Sequence, residues 1–202
     1  MDIISQYYRA YNTIIEMIGD RGYIIPEEYK QIDNNTFKYL YINSKLDLYI
    51  KDHSTEDKKI FVKFLIMNKV KPTFIRDMIL KIKEEFFDND KDNIILILKN
   101  KPNNSILKIP KELQYKCCQF YWIDKLQFNI TKHNLVPKHI KIDNDEINSI
   151  LKRFSLKNRS QLPIISKEDA IIQYYDISPN SVVKIVRPSK TMGDYNFYRC
   201  VR

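Results

Sequence analysis

The side chains in this sequence that could do chemistry are few and scattered. His133 and His139 stand six apart across Leu135, Val136 and Pro137, and neither a third histidine nor a cysteine pair completes a metal donor set around them. Cys117, Cys118 and Cys200 are odd in number, two are adjacent, and none has the paired spacing of a zinc site, so reduced, partly buried thiols are expected. Asp176 and Ser178 have no nucleophile elbow beside them, and a chain with 3 glycines has no loop to cradle a phosphate. Catalysis, a bound metal and any other cofactor are therefore not expected. What remains is cationic. Lys99 and Lys101 lead into the turn Pro102 to Ser105, with Asn103 inside it, and they follow a run that reads as a buried strand. A rigid base of that kind can present two ammonium groups and exposed backbone amides to a phosphate backbone, holding it without reading its sequence.

The elements that would position these groups follow from apolar spacing. Ile3, Ile4, Tyr7, Tyr8, Tyr11, Ile14, Ile15 and Ile18 recur at helical intervals and predict a first helix ending near Gly19. Pro26, Glu27 and Glu28 read as a helix start, with acids at the positive end of the dipole. Two extended runs, Lys45 to Ile50 and Lys59 to Met67, flank the polar DHSTEDK at 52–58. Pro72 opens a helix with Phe74, Ile75, Met78, Ile79, Ile82 and Phe86 on one face, and Asn93 to Lys99 is a short continuous apolar strand. Strand, helix and strand in succession imply a right-handed crossover. A further helix is predicted from Pro110 and a strand from Gln119 to Ile123, which makes the first module α/β.

The second module reads differently. Asp143 and Glu146 have capping-box spacing ahead of the stripe Ile147, Ile150, Leu151 and Phe154. Another short helix is expected after Ser166, with Ile171, Ile172 and Tyr175 facing inward. Ser181 to Arg187 is dense in β-branched residues, Pro188 should end that strand, and Gly193-Asp194 should open a second strand over Tyr195 to Val201. Two short helices and a hairpin make a small α+β module. No Gly/Ser-rich linker marks the join, and we divide the chain at 1–128 and 129–202.

Composition narrows the class. A hydrophobic fraction of 44% and an aromatic fraction of 12% fit a folded chain, and no apolar run approaches the length of about 18 residues that a membrane span needs. The first residues carry an early acid and no apolar core, so no signal peptide is expected and the protein reads as soluble and intracellular. The net charge of +9 divides unevenly: 1–128 carries 21 basic and 18 acidic residues, and 129–202 carries 13 and 7. Such a balance fits a polyanionic partner held non-specifically and in a salt-dependent way.

Three stretches carry a resemblance far more specific than their periodicity: ITKHNLVPKHIKI from Ile130 to Ile142, QLP from Gln161 to Pro163, and VVKIVRPSKTMGDYNFYR from Val182 to Arg199. Together they resemble the fifth subunit shared by eukaryotic RNA polymerases I, II and III, whose C-terminal module is similar to a small subunit of the archaeal RNA polymerase. Asp20 to Tyr23, DRGY, is similar to that family's N-terminal module. Two positions depart from the pattern. The family commonly shows Asp-Pro where this chain has Asp169-Ala170, and one extra residue stands between Leu156 and Gln161.

The resemblance implies a non-catalytic structural subunit of a multisubunit DNA-directed RNA polymerase. Its C-terminal assembly module would dock on the largest subunit, beside other polymerase subunits, and its N-terminal module would form part of the lower jaw near downstream duplex DNA. No membrane, small-molecule substrate or cofactor is implied. A strand pair can pack against a partner, so the expected docking residues are Val183, Ile185, Arg187, Pro188, Ser189, Lys190 and Arg199, the cations making charge-assisted contacts. The expected nucleic-acid residues are Lys99, Lys101 and Asn103. The site of action would be the nucleus for a cellular protein, or a cytoplasmic replication site or virion for a viral one.

Two alternatives stay open at this point. One is a free-standing DNA-binding or regulatory protein. The other is a nuclease, because the family's first module is similar to restriction-endonuclease-like domains, which need an acid on one strand and an acid two residues before a Lys on the next. Asp47 could supply the first acid, but the residue two before Lys63 is Phe61, and Asp57-Lys58-Lys59 lies outside the apolar run.

Overall fold

A computed structural model describes residues 2–51, 59–87, 92–115, 117–189 and 193–202. The chain divides into two compact units, Met1–Phe128 and Asn129–Arg202.

In the first unit, helix α1 (Ile3–Asp20) begins where the Asp2 carboxylate accepts the Ile4 amide at 3.4 Å. It ends in a turn where Gly22 takes φ +96° and the Tyr23 amide reaches the Ile18 carbonyl at 3.2 Å, a left-handed exit that glycine makes without a Cβ clash. Helix α2 (Glu27–Lys30) is a single turn behind Pro26, with both acids in that turn. Helix α3 (Asn34–Ile42) has no counterpart in the hydropathy pattern, because Phe37 is its one buried residue. It is set by its cap: the Asp33 carboxylate accepts the Asn35 and Thr36 amides at 3.3 and 3.2 Å.

Strands β1 (Leu48–Lys51) and β2 (Lys59–Leu65) pair antiparallel. The chain then passes through α4 (Pro72–Phe86) to β3 (Asn93–Leu98), and through α5 (Asn104–Glu112) to β4 (Cys118–Trp122). The sheet order is β1-β2-β3-β4, with the last two pairings parallel, so this unit is α/β. The polar connection at 52–58 lies outside the described residues.

Both faces of the central strands are covered. Phe61, Leu65, Ile94, Leu96 and Leu98 pack against Ile75, Ile79 and Ile82 of α4 and Ile106 and Ile109 of α5. On the other face Ile60, Val62, Phe64, Ile95 and Ile97 are buried, and the Tyr11 ring of α1 stacks 6.1 Å from that of Phe64. Burial on both faces explains why NIILIL reads as a continuous apolar run without alternation. Strand β1 begins three residues later than expected, and the expected start of α5 is wrong. Helix α5 starts behind Asn103, not at Pro110, which falls inside its 9 residues. The amide that proline lacks would have met only the carbonyl of Ile106 near the helix end, and a helix this short tolerates the loss.

The second unit comprises β5 (Lys138–Lys141), α6 (Asn144–Arg153), β6 (Ile164–Ile165), α7 (Ala170–Tyr174), β7 (Val182–Ser189) and β8 (Gly193–Val201). Its sheet order is β5-β7-β8-β6, antiparallel except for the β6–β8 pairing. Alternation along the hairpin gives the sheet two small cores. Val182 and Cys200 pack with Ile142, Leu162 and the α6 residues Ile147 and Ile150 on one side. Val183, Ile185 and Val201 pack with Ile165, Ile177 and the α7 residue Ile172 on the other. Asp143 caps α6 by accepting the Glu146 amide at 2.8 Å, while the Glu146 carboxylate meets Lys184 Nζ at 3.5 Å and ties α6 to β7. In α7, Tyr174 is the buried tyrosine and Tyr175 only partly so.

The hairpin strands are longer than expected. Pro188 lies inside β7, opposite Asp194. The Ile142 amide donates to the Val182 carbonyl and the Val201 amide to the Ser181 carbonyl, so even-numbered residues of β7 point toward β5 and odd-numbered ones toward β8. Pairing with β5 stops at Val186. The amide missing at Pro188 therefore has no neighbouring strand to bond, and the ladder loses nothing.

Candidate functional site

The parallel strands of the first unit deliver their C-terminal ends to one place. Beyond β3, Lys99 Nζ donates to Asn68 Oδ1 at 2.5 Å, and Asn100 Nδ2 donates to the Asn68 carbonyl at 3.2 Å. Asn68 belongs to the connection leaving β2, so the ends of β2 and β3 are laced together. At the end of β4, the Trp122 ring has Lys101 Nζ 5.9 Å and Lys125 Nζ 4.2 Å from its centroid. Trp122, Lys125 and Asn68 were not among the expected residues. The signal for the first two was present, since a cation three places past the chain's one Trp, through a 3-10 turn at Ile123–Leu126, can fold back over that ring.

The structure thus brings Lys99 and Lys101 to one edge and gives Asn103 a different task. Its Oδ1 accepts the Ile106 amide at 3.0 Å and caps α5. Asn103 remains exposed, but its acceptor is already engaged in the helix start.

The nuclease positions can also be placed. Asp47 stands just ahead of β1 and forms an ion pair with Lys63 of β2, and its other oxygen accepts the Phe64 amide at 3.2 Å. Phe61 is buried, with the Phe86 ring centroid 4.7 Å away. Two of the three positions meet, and an aromatic ring stands where a second metal-binding carboxylate belongs. Asp57 and Lys58 lie outside the described residues. Among the described residues no group of three His, Cys, Asp or Glu side chains could hold a metal.

The remaining candidates are engaged locally. His133 Nδ1 accepts the Leu135 amide at 3.2 Å, and His139 Nδ1 lies 2.7 Å from the Pro137 carbonyl, to which it must donate. Desolvation pushes the Cys118 thiol above its ordinary range, with Cys117 adding to the effect, so it stays protonated and unreactive near neutral pH.

The expected docking residues separate into two sets. Val183 and Ile185 are 0% and 2% exposed and belong to the unit's own core, which corrects their assignment as surface contacts. They are cross-strand neighbours of Arg199 and Phe197. Arg187 and Pro188 are exposed. The Arg187 guanidinium carbon lies 5.9 Å from the Phe197 ring centroid and that of Arg199 lies 5.0 Å from it, while Tyr195, beside the same ring, is 48% exposed. Arg199 Nη1 also donates to the Ile164 carbonyl at 2.8 Å. Ser189 closes β7, and Lys190 lies outside the described residues.

Two family models match parts of this chain. A family model described as "RNA polymerase Rpb5, N-terminal domain" matches residues 2–82, and one described as "RNA polymerase Rpb5, C-terminal domain" matches residues 128–201. The chain is 31% identical to "DNA-directed RNA polymerases I, II, and III subunit rpabc1" of Dictyostelium discoideum, over 100% of both chains. It is 30% identical to "DNA-directed RNA polymerase V subunit 5A" of Arabidopsis thaliana, over 97% of this chain and 88% of that one. With "DNA-directed RNA polymerases I, II, and III subunit RPABC1" of Caenorhabditis elegans it shares 28% identity over 96% of this chain and 94% of that one.

Proposed function

The chain belongs to the Rpb5 family of RNA polymerase subunits, and from that premise we propose that it is a non-catalytic structural subunit of a multisubunit DNA-directed RNA polymerase. The observation that carries this reading is the presence, in order, of both family domains on one chain. Residues 129–202 act as the assembly domain and dock on the largest subunit, through the end of the hairpin at Arg187, Pro188, Ser189 and Lys190. Residues 1–128 form part of the lower jaw. There Lys99 and Lys101, joined by Lys125, face downstream duplex DNA and hold its phosphates without sequence preference. The sheet of the first unit is a restriction-endonuclease-like sheet whose metal-binding position is filled by Phe61. The reading requires no cofactor, membrane or small-molecule substrate. Relatives from a plant, a slime mould and a nematode favour the nucleus as the place of work.

The test is affinity purification of the tagged full chain at moderate salt, with mass spectrometry of what stays bound, beside the Arg187→Glu variant. The largest polymerase subunit is expected with the wild type and depleted with the variant. Absence of polymerase subunits from both, together with specific DNA binding by the chain alone, would replace this reading with that of a free-standing DNA-binding protein.

A further inference from the structure

The sheet of the second unit has edges of unequal character. Its outermost strand β5 spans four residues with lysines at both ends, Lys138 and Lys141, which discourages another strand from pairing there. Beyond β5 the free side of β7 carries Pro188, which has no amide to offer. At the opposite edge β6 spans two residues. Pro163 accepts the Cys200 amide and Arg202 donates to Ile165, so the backbone groups of Ile164 point outward, and the Arg199 side chain covers that outward carbonyl at 2.8 Å.

One longer stretch has no described strand on its outer side. Strand β6 pairs with β8 only at Cys200 and Val201, so Gly193 to Arg199 has β7 on one side and no described strand on the other. The direction of its backbone groups is fixed by the neighbouring bonds. The Cys200 and Arg202 amides point toward β6, and the Val201 amide points toward β7 at Ser181. By alternation Asp194, Asn196 and Tyr198 turn both their amides and their carbonyls to the open side. Asn196 and Tyr195 are exposed, and Tyr198 is partly buried against the core beside α6.

We propose that an extended segment of a neighbouring polymerase subunit adds to this edge as a strand, pairing with the backbone of Asp194, Asn196 and Tyr198, and carries a carboxylate on the face shared with Arg187 and Tyr195. This inference rests on the assembly reading above and names how that assembly is made. Strand addition supplies main-chain hydrogen bonds, and side chains on alternate positions supply specificity. The face met by the incoming strand holds Arg187, Tyr195 and Phe197, and the residues from 129 to 202 carry 13 basic against 7 acidic groups, so an acidic occupant is the complementary one. Arg187 on β7 and Tyr195 on β8 are cross-strand neighbours, so the cation stands one strand in from the open edge, on the same face as the ring.

The test is hydrogen exchange on the full chain, free and assembled in purified polymerase, read at single amides across 193–199. In the free chain the amides of Tyr195, Phe197 and Arg199 are protected by β7, and those of Asn196 and Tyr198 exchange rapidly. On assembly the Asn196 and Tyr198 amides are expected to slow by at least about tenfold, the effect of one added main-chain bond of ordinary strength. Assembly with Asn196 and Tyr198 exchanging as in the free chain overturns strand addition and leaves the subunit reading intact. Failure to enter polymerase at all overturns both. Slowing in the free chain that grows with its concentration identifies a second copy as the occupant and also overturns the proposal. As a second arm, Asn196→Pro removes an outward amide and leaves the β7 ladder whole. It is expected to lower retention of the largest subunit about tenfold with the circular dichroism of the free chain unchanged, and undiminished retention counts against the edge.

Discussion

The two sheets of this molecule use apolar sequence in opposite ways. In the first unit β2 and β3 are covered on both faces, and the groups that could meet a partner sit past the strand ends, at Lys99, Lys101 and Lys125. Core and tip are therefore separable there. In the second unit a single strand does both: β7 is core at Val183 and Ile185 and surface at Arg187, within two residues. A run of residues that looks like one motif is thus two physical regions, and a combined change across Val183, Ile185 and Arg187 would mix loss of folding with loss of docking.

The sharpest separation comes from Val183→Asp. A carboxylate set among Ile165, Ile172 and Ile177 is expected to cost about 4 kcal/mol, enough to unfold the second unit while the first still melts cooperatively in calorimetry. A single transition for the whole variant would erase the distinction between the units. Next, Ile185→Ala should destabilise by about 2–5 kcal/mol, whereas Arg187→Ala, on the same strand, should stay within about 0.5 kcal/mol by chemical denaturation yet release polymerase. Equal stability losses at the two positions would break the comparison.

In the first unit, Asn103→Ala should cost about 1 kcal/mol through loss of the α5 cap, seen as a lower midpoint in urea. At the tip the stability effect should be as small as at Arg187. Lys99→Ala with Lys101→Ala should leave stability within about 0.5 kcal/mol while lowering the salt slope of duplex DNA binding by about 2. An unchanged slope would remove these lysines from phosphate contact.

The well-buried elements were legible: α1 and α4 from apolar residues at helical spacing, and β3 from its unbroken apolar run. The elements that escaped bury little or are set by a single polar atom. Helix α3 buries only Phe37 and depends on the Asp33 cap, and β5 looks solvated because lysines bound its His-Ile pair. The prolines misled for a shared reason. Pro110 and Pro188 sit where the hydrogen bond they forgo had no important partner, which only the surrounding strands and turns reveal. At the tip Lys99 and Lys101 were readable as cations after a buried strand; the spacing of Trp122 and Lys125 allows the fold-back, but their meeting with Lys101 depends on the parallel pairing of β3 and β4, which no linear pattern displays.

Strand order has a further consequence, for synthesis. In the first unit each strand pairs with the one made before it, so the sheet can grow as the chain emerges, residue by residue. In the second unit β8, the last strand made, lies between β7 and β6. Strand β6 has no neighbour until β8 arrives, and the arginine that guards its edge is itself on β8. A ribosome that stalls before residue 193 therefore yields a folded first unit joined to an unfinished second one. The β6 edge of the second sheet thus waits on β8, which alone joins β6 to the rest of it.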